Sequence, residues 1–385
     1  MSDISLPIDV VMKRRAVCHP KRVLHVLSSA SLGGCESLCF DIATHMRNER
    51  WASEIVFLTD LDGPIRQRFL DRGLPVHNCV YKSRSKLNFI NHFAGLCRER
   101  QADAVVCYSF GLLYFLTALA AWLGNIRHMV VHMGNPPPTE RVQRWKATML
   151  VHLARPFTTV VAACSDYVRT KAHQHYHLPL ASIRQVWNAC DVSNIHERAA
   201  RARDVTKRGG PVIGIVSRLD PIKDHALVLR SFAHLVSKCP SAKLILVGDG
   251  PLRSALECLA TTLKIRESVE FRGSRTDVPE QLAEFDIFVY ATTKDEGFGS
   301  VLPEAMAAGI PIVCTDVGPC REVLANGDAG ILTRPGDVLG LAEAMLCLWN
   351  DARVRNALSL RGPEIALHRY DVAHIARKYE SLLSV

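Results

Sequence analysis

The chain has 385 residues, of which 48% are hydrophobic and 22% charged, and its formal net charge is +9. This length exceeds what one hydrophobic core usually supports, so size and composition predict a soluble globular protein of two domains. A membrane span of about 18 uninterrupted apolar residues is excluded, because the longest apolar run, 110–124, is too short and is better interpreted as a packed helix.

The positive charge is confined to one half of the chain. Residues 1–190 contain 23 Lys and Arg against 13 Asp and Glu, whereas residues 191–385 contain 24 against 25. An excess of +10 suits an anionic partner such as phospholipid headgroups, a lipid diphosphate or nucleic acid, and general solubility explains it equally well. We expect no nucleic-acid partner, because no such motif is present and the basic residues are interleaved with predicted core strands.

The chain has thirteen cysteines, of which Cys107, Cys164, Cys314 and Cys347 lie within predicted strands and helices, and no Cys-x-x-Cys pair occurs, which favours reduced thiols in a cytoplasmic protein. Lys13-Arg14-Arg15 is followed by no apolar signal core, which also argues against secretion. His173, His175 and His177 could chelate a metal on paper. No Cys or Asp set with suitable spacing accompanies them, so we predict no metal site.

The first half alternates short apolar runs with segments of helical length. Residues 1–20 carry no periodicity and are predicted to be a flexible leader. A first domain, 21–192, is predicted with a helix over 36–50 and with strands at 21–28, 53–59, 75–80, 104–108, 127–133, 158–164 and 183–187. This alternation predicts an α/β fold with a doubly wound parallel sheet.

A second unit of the same kind follows a polar interruption. The charged stretch 193–210 is predicted to be an interdomain linker or a loosely packed helix. A second domain, 211–365, is predicted with strands at 211–217, 242–247, 269–272, 286–290, 310–315 and 330–333. Helices finish the chain after residue 337 and at 374–383. Two Rossmann-like domains place a ligand in the cleft between them, outside the carboxyl ends of the strands.

The stretch 296–311 carries the strongest functional pattern. It follows a predicted strand and indicates a loop entering a helix, with Gly297 and Gly299 exposing backbone amides and Ser300 as the N-cap. A helix start opened by glycines favours a phosphate. Glu296 and Glu304 beside a phosphate need a different partner, and sugar hydroxyls are the groups that seek such acceptors. An ordinary strand-turn-helix would explain the glycines but not the paired glutamates.

The pattern Glu-Gly-Phe-Gly-x4-Glu-Ala-Met-Ala-x-Gly-x-Pro, beginning at Glu296, resembles the Glu-x7-Glu signature of retaining glycosyltransferases of family 4, or glycosyltransferase group 1. The resemblance covers most of the chain from Lys21 onward, and its specific motifs lie mainly after residue 211. It implies the GT-B fold, with two Rossmann-like domains, a cleft between them, and a last segment, 366–385, that packs back on the first domain. It also implies a nucleoside diphosphate sugar as co-substrate, without metal or cofactor.

Arg218 and Lys223 stand at a strand end and at the following helix start, where both cations could close on a diphosphate. In the family that this chain resembles, Arg-x4-Lys at this place grips the nucleotide diphosphate and stabilises the leaving group instead of a divalent metal. The resemblance further implies that the amides of 299–301 hold the diphosphate, that Glu304 binds ribose hydroxyls, and that Glu296 binds the donor sugar.

Two glycine turns and one histidine join the expected site. Gly33 and Gly34 resemble the family's Gly-Gly-x-Glu turn, where the backbone approaches the donor phosphate or acceptor, although packing alone would also explain a glycine turn. Gly248 ends a predicted strand in a turn that resembles the one the family places near the donor, although structural turns of this kind are frequent. The resemblance places His132 beside the transferred sugar, whereas a lone histidine is more often structural. The expected catalytic residues are His132, Arg218, Lys223 and Glu296, and the expected donor-binding residues are Gly33, Gly34, Gly248, Gly297, Phe298, Gly299, Ser300, Val301 and Glu304.

Two other stretches bear on the acceptor. Asn188-Ala189-Cys190-Asp191 departs from the Asn-Gly-x-Asp of relatives, and because alanine disfavours positive φ, loop geometry or acceptor contacts are expected to differ there. The basic amphipathic segment 141–155, together with 81–86, is predicted to form a face that meets an anionic membrane. A helix packed on the core with a charged outer side is an equal alternative.

The sequence therefore predicts a metal-independent GT-B enzyme that transfers a hexose with retention, by a same-face mechanism in which the donor phosphate is the base. We expect a UDP-sugar first and a GDP-sugar second, with a glycan, lipid-linked or small-molecule acceptor. The setting would be bacterial surface polysaccharide or glycolipid synthesis, in the cytoplasm or on the inner face of its membrane. Two alternatives stay open: a sugar nucleotide epimerase or hydrolase of the same fold, and a non-catalytic sugar-nucleotide-binding or membrane-binding protein.

Overall fold

The computed structural model describes residues 20–31, 33–46, 50–60, 62–81, 85–203 and 209–384. Apart from Pro20, the expected leader lies outside the described residues, and so do residues 82–84 of the expected basic face. The described chain forms two α/β domains, each built on its own parallel sheet.

The first domain is built on a seven-stranded sheet. Its strands are β1 (Lys21–Ser29), β2 (Trp51–Asp60), β3 (Val76–Asn78), β4 (Ala104–Cys107), β5 (His128–Met133), β6 (Val160–Ala163) and β7 (Ile183–Gln185). All pairings are parallel, in the order β3-β2-β1-β4-β5-β6-β7. Strands β4 and β6 are buried along their whole length, which explains why their sequences are continuous apolar runs.

Helices connect these strands and cover the sheet. They are α1 (Gly34–His45), α2 (Pro64–Asp71), α3 (Lys86–Glu99), α4 (Leu112–Leu123), α5 (Arg141–Ala154) and α6 (Asp166–Tyr176), and the next helix, α7 (Val192–Ala202), follows the last strand. Helix α4 accounts for the apolar run at 110–124, and its Tyr114, Ala118 and Ala121 are buried in the core. Among the described residues, no helix combines the length and the apolar character that crossing a membrane requires.

The second domain has six parallel strands in the order β10-β9-β8-β11-β12-β13. They are β8 (Val212–Val216), β9 (Lys243–Val247), β10 (Val269–Gly273), β11 (Ile287–Tyr290), β12 (Ile312–Thr315) and β13 (Ile331–Thr333). The remaining helices are α8 (His225–Lys238), α9 (Arg253–Thr262), α10 (Val278–Ala283), α11 (Val301–Ala307), α12 (Gly318–Val323), α13 (Val338–Asn350), α14 (Ala352–Tyr370) and α15 (Val372–Leu382). The predicted fold of two Rossmann-like domains is confirmed.

The charged stretch 193–210 differs from the linker that its composition predicts. Its described part up to Ala202 belongs to α7, which packs on α10, α11 and α14 of the second domain. Val192, Ile195 and Ala199 recur at helical spacing and are buried, so the charged residues occupy only the outer side. Arg198 binds Glu280 of α10 through two nitrogen–oxygen contacts of 2.8 and 2.6 Å. Because only one narrow side of the helix is apolar, the overall composition of the stretch did not reveal that it is amphipathic.

The chain passes between the domains twice, and the two passages lie side by side. The Cys190 N–H donates to the Tyr370 carbonyl at 2.9 Å, and the Val372 N–H donates to the Cys190 carbonyl at 3.0 Å. After the second passage, α15 packs against α1, and its Ile375 and Tyr379 are buried in the apolar core of the first domain. The last helix therefore belongs physically to the first domain.

The tight packing of the second sheet generates a stability prediction at Gly214 in β8. A Cβ atom there would lie 2.1 Å from the buried ring of Phe285, so Gly214→Ala should destabilise the fold by roughly 1–3 kcal/mol. Gly95 of α3 has no atom within 4 Å of its Cβ position, so Gly95→Ala should be neutral or stabilising by up to about 1 kcal/mol. Urea unfolding followed by circular dichroism measures both. Equal midpoints for Gly214→Ala and wild type would contradict the packing argument.

Candidate active site

The loop between β11 and α11 lies at the carboxyl end of the second sheet and carries Glu296. Only 7% of Glu296 is exposed, so its carboxylate needs partners within the protein. Lys223 forms an ion pair with Oε2, which also accepts hydrogen bonds from the Tyr290 hydroxyl at 2.7 Å and the Thr292 hydroxyl at 3.1 Å. The second oxygen, Oε1, accepts the N–H of Gly297 at 3.1 Å. Both oxygens of Glu296 are therefore engaged.

These partners decide the protonation state of Glu296. Burial raises the pKa of a carboxyl group, but the charge of Lys223 and the hydrogen bonds from Lys223, Tyr290 and the Gly297 N–H outweigh that effect and hold the pKa of Glu296 at about 2. Lys223 also donates to the Tyr290 hydroxyl at 2.5 Å. The side chains of Lys223, Tyr290 and Glu296 form one connected, charged network at the end of the sheet.

The first domain touches this loop through two small residues. A Cβ atom on Gly297 would lie 1.9 Å from the carbonyl oxygen of Gly134, so only glycine permits this contact between the domains. Next to it, the buried Ser165 hydroxyl donates to the carbonyl of Gly297 at 2.8 Å. Ser165 also accepts the Val168 N–H as the N-cap of α6. The loop of Glu296 is thus fixed from both sides of the cleft.

A second polar contact joins the domains around Glu322 of α12. Its carboxylate accepts the N–H groups of Asp166 and Tyr167 at 2.9 and 3.1 Å, at the start of α6. The indole N–H of Trp187 also donates to it at 2.7 Å. An anion at the positive end of a helix is a favourable arrangement. Here the anion comes from one domain and the helix from the other.

The start of α11 lies against the first domain. Ser300 occupies the N-cap position of α11, as predicted, but its hydroxyl makes no bond to a helix amide. It accepts instead the Asn188 side-chain N–H at 2.9 Å, and a Cβ atom on Gly34 would lie 3.0 Å from it. In the same turn, a Cβ atom on Gly33 would lie 2.5 Å from the carboxylate of Glu36. Three chain segments therefore converge on Ser300.

The departure Asn188-Ala189-Cys190-Asp191 needs no left-handed backbone. Ala189 is absent from the described non-glycine residues with positive φ, and its side chain is buried. Asp191 begins α7 by accepting the Asn194 N–H at 3.1 Å. Asn188 leaves its side-chain oxygen buried without a partner among the described residues.

The backbone of the Glu296 loop is set by Gly299, whose φ is +77°. In the described chain, the N–H groups of Gly299, Ser300 and Val301 donate to no protein acceptor, so they remain open to a ligand. The ring of Phe298 is buried and packs edge-on against Tyr370, with 5.7 Å between ring centres. The side chain of Phe298 is therefore used in packing.

Glu304 lies on α11, near enough to Asp41 of α1 and Arg68 of α2 for their charges to interact. Burial raises the pKa of Glu304 to about 7, although the guanidinium of Arg68 acts in the opposite direction. Burial, and then the charge of Glu304, also raise the pKa of Asp41 well above its ordinary value. Two carboxyl groups from different domains thus share one region, and a neutral ligand rich in hydroxyl groups would relieve their repulsion.

Arg218 and Lys223 occupy different environments, although both lie near the end of β8. The Arg218 side chain is 67% exposed and its guanidinium lies 3.1 Å from the Asp220 carboxylate. Burial raises the pKa of Glu36 in the first domain, and the charge of Arg218 lowers it, so Arg218 faces that domain across the cleft. Gly248 supports the Arg218 turn, since a Cβ atom on Gly248 would lie 1.9 Å from the Ser217 carbonyl.

His132 is fully enclosed at the end of β5. Its Nδ1 lies 2.7 Å from the Tyr379 hydroxyl of α15, and its Nε2 has no partner among the described residues. Burial lowers the pKa of His132 to about 4, so the ring is neutral at pH 7. The Cβ position of Gly134 lies 3.8 Å from Nε2, which places this nitrogen beside the contact of Gly134 with Gly297.

The structure brings most of the expected residues to the two sides of one cleft. Sequence patterns pointed to the Glu296 loop, the Arg218 and Lys223 pair, the Gly33 turn and His132. They did not point to Tyr290, Thr292, Ser165 and Tyr379, which hold these groups, and they singled out Asn188 only as part of an altered acceptor loop. Tyr290 directly ends the predicted strand, which is the one local hint that the sequence contained.

The three histidines at the end of α6 are not arranged as a metal site. His173 Nδ1 bonds to the Leu178 carbonyl at 2.8 Å, and His177 ends the helix with a φ of +54°. Throughout the described ranges, no three His, Cys, Asp or Glu side chains are grouped as metal ligands would be.

Residues 197–364 match the protein family described as Glycosyl transferases group 1. The chain is similar to N-acetyl-alpha-D-glucosaminyl L-malate synthase of Bacillus anthracis, at 32% identity over 231 residues and 58% of each chain. It is also similar to N-acetylgalactosamine-N,N'-diacetylbacillosaminyl-diphospho-undecaprenol 4-alpha-N-acetylgalactosaminyltransferase of Campylobacter jejuni, at 24% identity over 347 residues. That similarity covers 89% of this chain and 90% of the Campylobacter protein, whereas the chain spans little more than half of the Bacillus protein.

Among solved structures, the fold is similar to HepE from Anabaena in complex with UDP and glucose. The TM-score is 0.83 at 24% identity, and the match covers 95% of this chain and 100% of HepE. The arrangement of two domains around a cleft is therefore shared over the whole length of that protein.

The raised pKa of Glu304 predicts a pH-dependent stability. Between about pH 4.5 and pH 7 the folded state keeps a proton that the unfolded state releases, so stability falls as pH rises through this window. Glu304→Gln cannot ionise and so avoids this loss of stability. Its free energy of unfolding relative to wild type should therefore increase by roughly 1–3 kcal/mol from pH 4.5 to pH 8. Urea unfolding at intervals of half a pH unit measures the difference.

The exposed Glu267 supplies a matched control, and Glu267→Gln should follow the wild-type profile. A difference between Glu304→Gln and wild type that stays constant with pH would show that Glu304 ionises freely in the folded protein.

Proposed function

We propose that this chain, which belongs to the glycosyl transferases group 1 family and has the GT-B fold, transfers a hexose from a nucleoside diphosphate sugar with retention of configuration. The observation that carries the proposal is the buried ion pair of Glu296 with Lys223 at the carboxyl end of the second sheet. Ligands of open α/β sheets bind at this edge. A charged pair held there by Tyr290 and Thr292 provides both a hydroxyl acceptor and a cation for a phosphate.

The diphosphate would bind between Arg218, Lys223 and the open N–H groups of 299–301. Arg218 supplies an exposed guanidinium beside Asp220, whereas Lys223 is held in place by Glu296 and Tyr290. Gly34 would let the first-domain backbone approach the same phosphates, and Gly33 and Gly248 would support the two turns. Two fixed cations can stabilise the departing diphosphate without a metal ion.

The hexose and the nucleoside would each bind to one of the two glutamates. Glu296 accepts hydroxyl hydrogens of the hexose, with the neutral His132 on the opposite side, and Glu304 accepts those of the ribose. HepE, which shares this fold, was crystallised with UDP and glucose, and this supports a UDP-sugar before a GDP-sugar. The backbone-lined loop after β10 would hold the base, as the family resemblance implies.

A same-face mechanism fits the environment of Glu296. Both of its oxygens already accept hydrogen bonds, so it is poorly placed to form a covalent bond with the sugar. The acceptor oxygen would attack the anomeric carbon as the bond to the diphosphate breaks. The bonding electrons pass to the leaving phosphate, and one of its oxygens takes the acceptor's proton. Trapping a glycosyl adduct on a side chain would contradict this mechanism.

The acceptor would be a glycan, a lipid-linked sugar or a small molecule of bacterial surface polysaccharide or glycolipid synthesis. The two relatives named above act, by their names, on malate and on a diphospho-undecaprenol glycan, so the family match alone does not choose among these classes. An epimerase or hydrolase would consume the donor without any acceptor, and a non-catalytic protein would bind the donor without consuming it.

Two variants test the proposed roles. Glu296→Gln should reduce sugar transfer at least 100-fold with little change in UDP affinity, because the lost charge faces the sugar. Lys223→Met should reduce both sugar transfer and UDP affinity. The lysine cation faces the diphosphate, and its loss also leaves Glu296 buried without a counter-charge. Product formation is followed by mass spectrometry with a panel of UDP- and GDP-sugars, and binding by calorimetry.

Lys264→Met provides a matched control on an exposed turn and should behave as wild type. The proposal fails if no nucleoside diphosphate raises the melting temperature of the wild-type protein. It also fails if Glu296→Gln retains full transfer activity. The anomeric configuration of the product, determined by NMR, tests retention separately.

We further propose that helix α5 associates with an anionic membrane surface at the inner face of the cytoplasmic membrane. Its outer side carries four exposed apolar residues at positions i, i+3, i+7 and i+11, which are Val142, Trp145, Met149 and Leu153. The exposed cations Arg141 and Lys146 flank this row. The inner side packs on the core through Val151 and Ala154, as the alternative interpretation of its sequence expects, and the apolar row stays exposed on the outer side.

The neighbouring end of α4 extends this apolar surface, because Trp122 and Leu123 are also exposed there. Tryptophan and flanking cations are the residues that favour the interface of an anionic bilayer. Such a site would bring the basic first domain to the membrane and would suit a lipid-linked acceptor.

Replacing two of the exposed apolar residues tests this association. Trp145→Ser/Met149→Ser should lower the fraction bound to phosphatidylglycerol vesicles at least 5-fold, because it removes the largest apolar contacts. Cosedimentation at low and high salt measures binding, and salt should weaken the wild type. Leu360→Ser, on the second domain, is the matched control. Equal binding by the double variant and the wild type would exclude α5 as the contact.

A further inference from the structure

Tyr379 lies on the last helix of the chain but reaches the candidate active site of the first domain. The second interdomain passage delivers α15 onto α1, and Tyr379 has no exposed surface. Its hydroxyl lies 2.7 Å from Nδ1 of His132, 247 residues earlier in the chain. This is a direct bond between the last helix and the enclosed histidine at the end of β5.

The hydrogen-bond count decides which atom carries the proton. Within the described chain, the Tyr379 hydroxyl makes this one bond, and Nε2 of His132 makes none. If Nδ1 carried the hydrogen, both the phenol hydrogen and the Nε2 lone pair would be buried without partners. If the phenol donates to Nδ1, only the N–H at Nε2 remains open. The second arrangement leaves fewer buried polar groups unsatisfied and is favoured.

The surroundings keep both groups in their neutral forms. Burial lowers the pKa of His132 to about 4, and burial together with the nearby thiols of Cys35, Cys164 and Cys39 raises the pKa of Tyr379 well above its ordinary value. Around pH 7 the pair therefore consists of a protonated phenol and an uncharged imidazole. This is the composition that the favoured hydrogen-bond direction requires.

The buried, unpartnered Nε2 lies next to the contact between Gly134 and the Glu296 loop. It lies 3.8 Å from the Cβ position of Gly134, whose carbonyl touches Gly297 of that loop. An N–H at this place can donate to a sugar hydroxyl or ring oxygen, whereas a bare lone pair cannot.

We infer that Tyr379 is a positioning residue that fixes His132 as the Nε2–H tautomer, aimed at the donor sugar. The role of His132 rests on the function proposed above, whereas the tautomer rests on the Tyr379 contact alone. Because α15 follows the second passage between the domains, the terminal helix sets the hydrogen-bonding character of the sugar site. Phenylalanine would fill the same space but would let the ring turn or change tautomer.

A double-mutant cycle separates this role from simple packing. Tyr379→Phe should lower kcat about 10-fold to 100-fold with little change in UDP affinity or melting temperature. His132→Ala should lower kcat at least as much, and adding Tyr379→Phe to it should cause no further loss. Tyr114→Phe is the matched control, because its buried hydroxyl makes a similar 2.8 Å bond, to Thr158, elsewhere in this domain. It should retain wild-type kcat.

The tautomer is measured independently of turnover by two-bond 1H–15N correlation NMR, with His132→Ala identifying the resonances. The wild type should show the hydrogen on Nε2, and Tyr379→Phe should shift the ring toward a mixture of tautomers. A wild-type Nδ1–H form overturns the inference, and so do additive losses in the cycle. If the wild type transfers no sugar, the proposed function fails while the NMR result still decides the tautomer.

Discussion

The burial of the Glu296 carboxylate is the constraint on which the rest of the site depends. An ionised carboxylate with 7% exposure is stable only if its charge is balanced and its lone pairs are used. Lys223 balances the charge, and Tyr290, Thr292 and the Gly297 N–H use the lone pairs. These partners come from the turn after β8, the end of β11 and the loop itself. The network therefore fixes three segments of the second domain at one point.

The position of this loop in turn determines how the domains meet. Gly297 lies so close to Gly134 that no Cβ atom fits between them, and the Ser165 hydroxyl donates to the Gly297 carbonyl. Glu322 adds a second tie to the start of α6. The interface thus combines small residues with directional hydrogen bonds, while one apolar cluster runs through both domains behind it. The interface therefore specifies both the shape and the polarity of the cleft, as the proposed site for a bulky, polar sugar nucleotide requires.

The sequence predicted the fold and the chemical groups well, because both depend on local patterns. Continuous apolar runs identified the buried parallel strands, and glycines and charged residues at strand ends identified the Glu296 loop and the Lys223 turn. The partners of these groups depend on distance in space, so Ser165 and Tyr379 carried no local pattern. Ser300 occupies the predicted N-cap position, but its hydroxyl engages Asn188 from the other domain and not a helix amide. For 193–210 the composition left a linker and a helix open, and the three buried apolar residues of α7 decide for the helix up to Ala202.

The adjacent passages at Cys190 and Asp371 determine which contacts can survive a relative motion of the domains. The two passages are joined by a β-bridge between Cys190 and Asp371, so a rotation that opens the cleft must turn about this bridge or break it. Such a rotation separates Gly297 from Ser165 and Glu322 from α6, because these contacts join residues of different domains. It leaves Tyr379 on His132, because α15 has already joined the first domain. The imidazole therefore keeps its orientation in an open cleft, whereas the Glu296 loop regains its first-domain contacts only on closure.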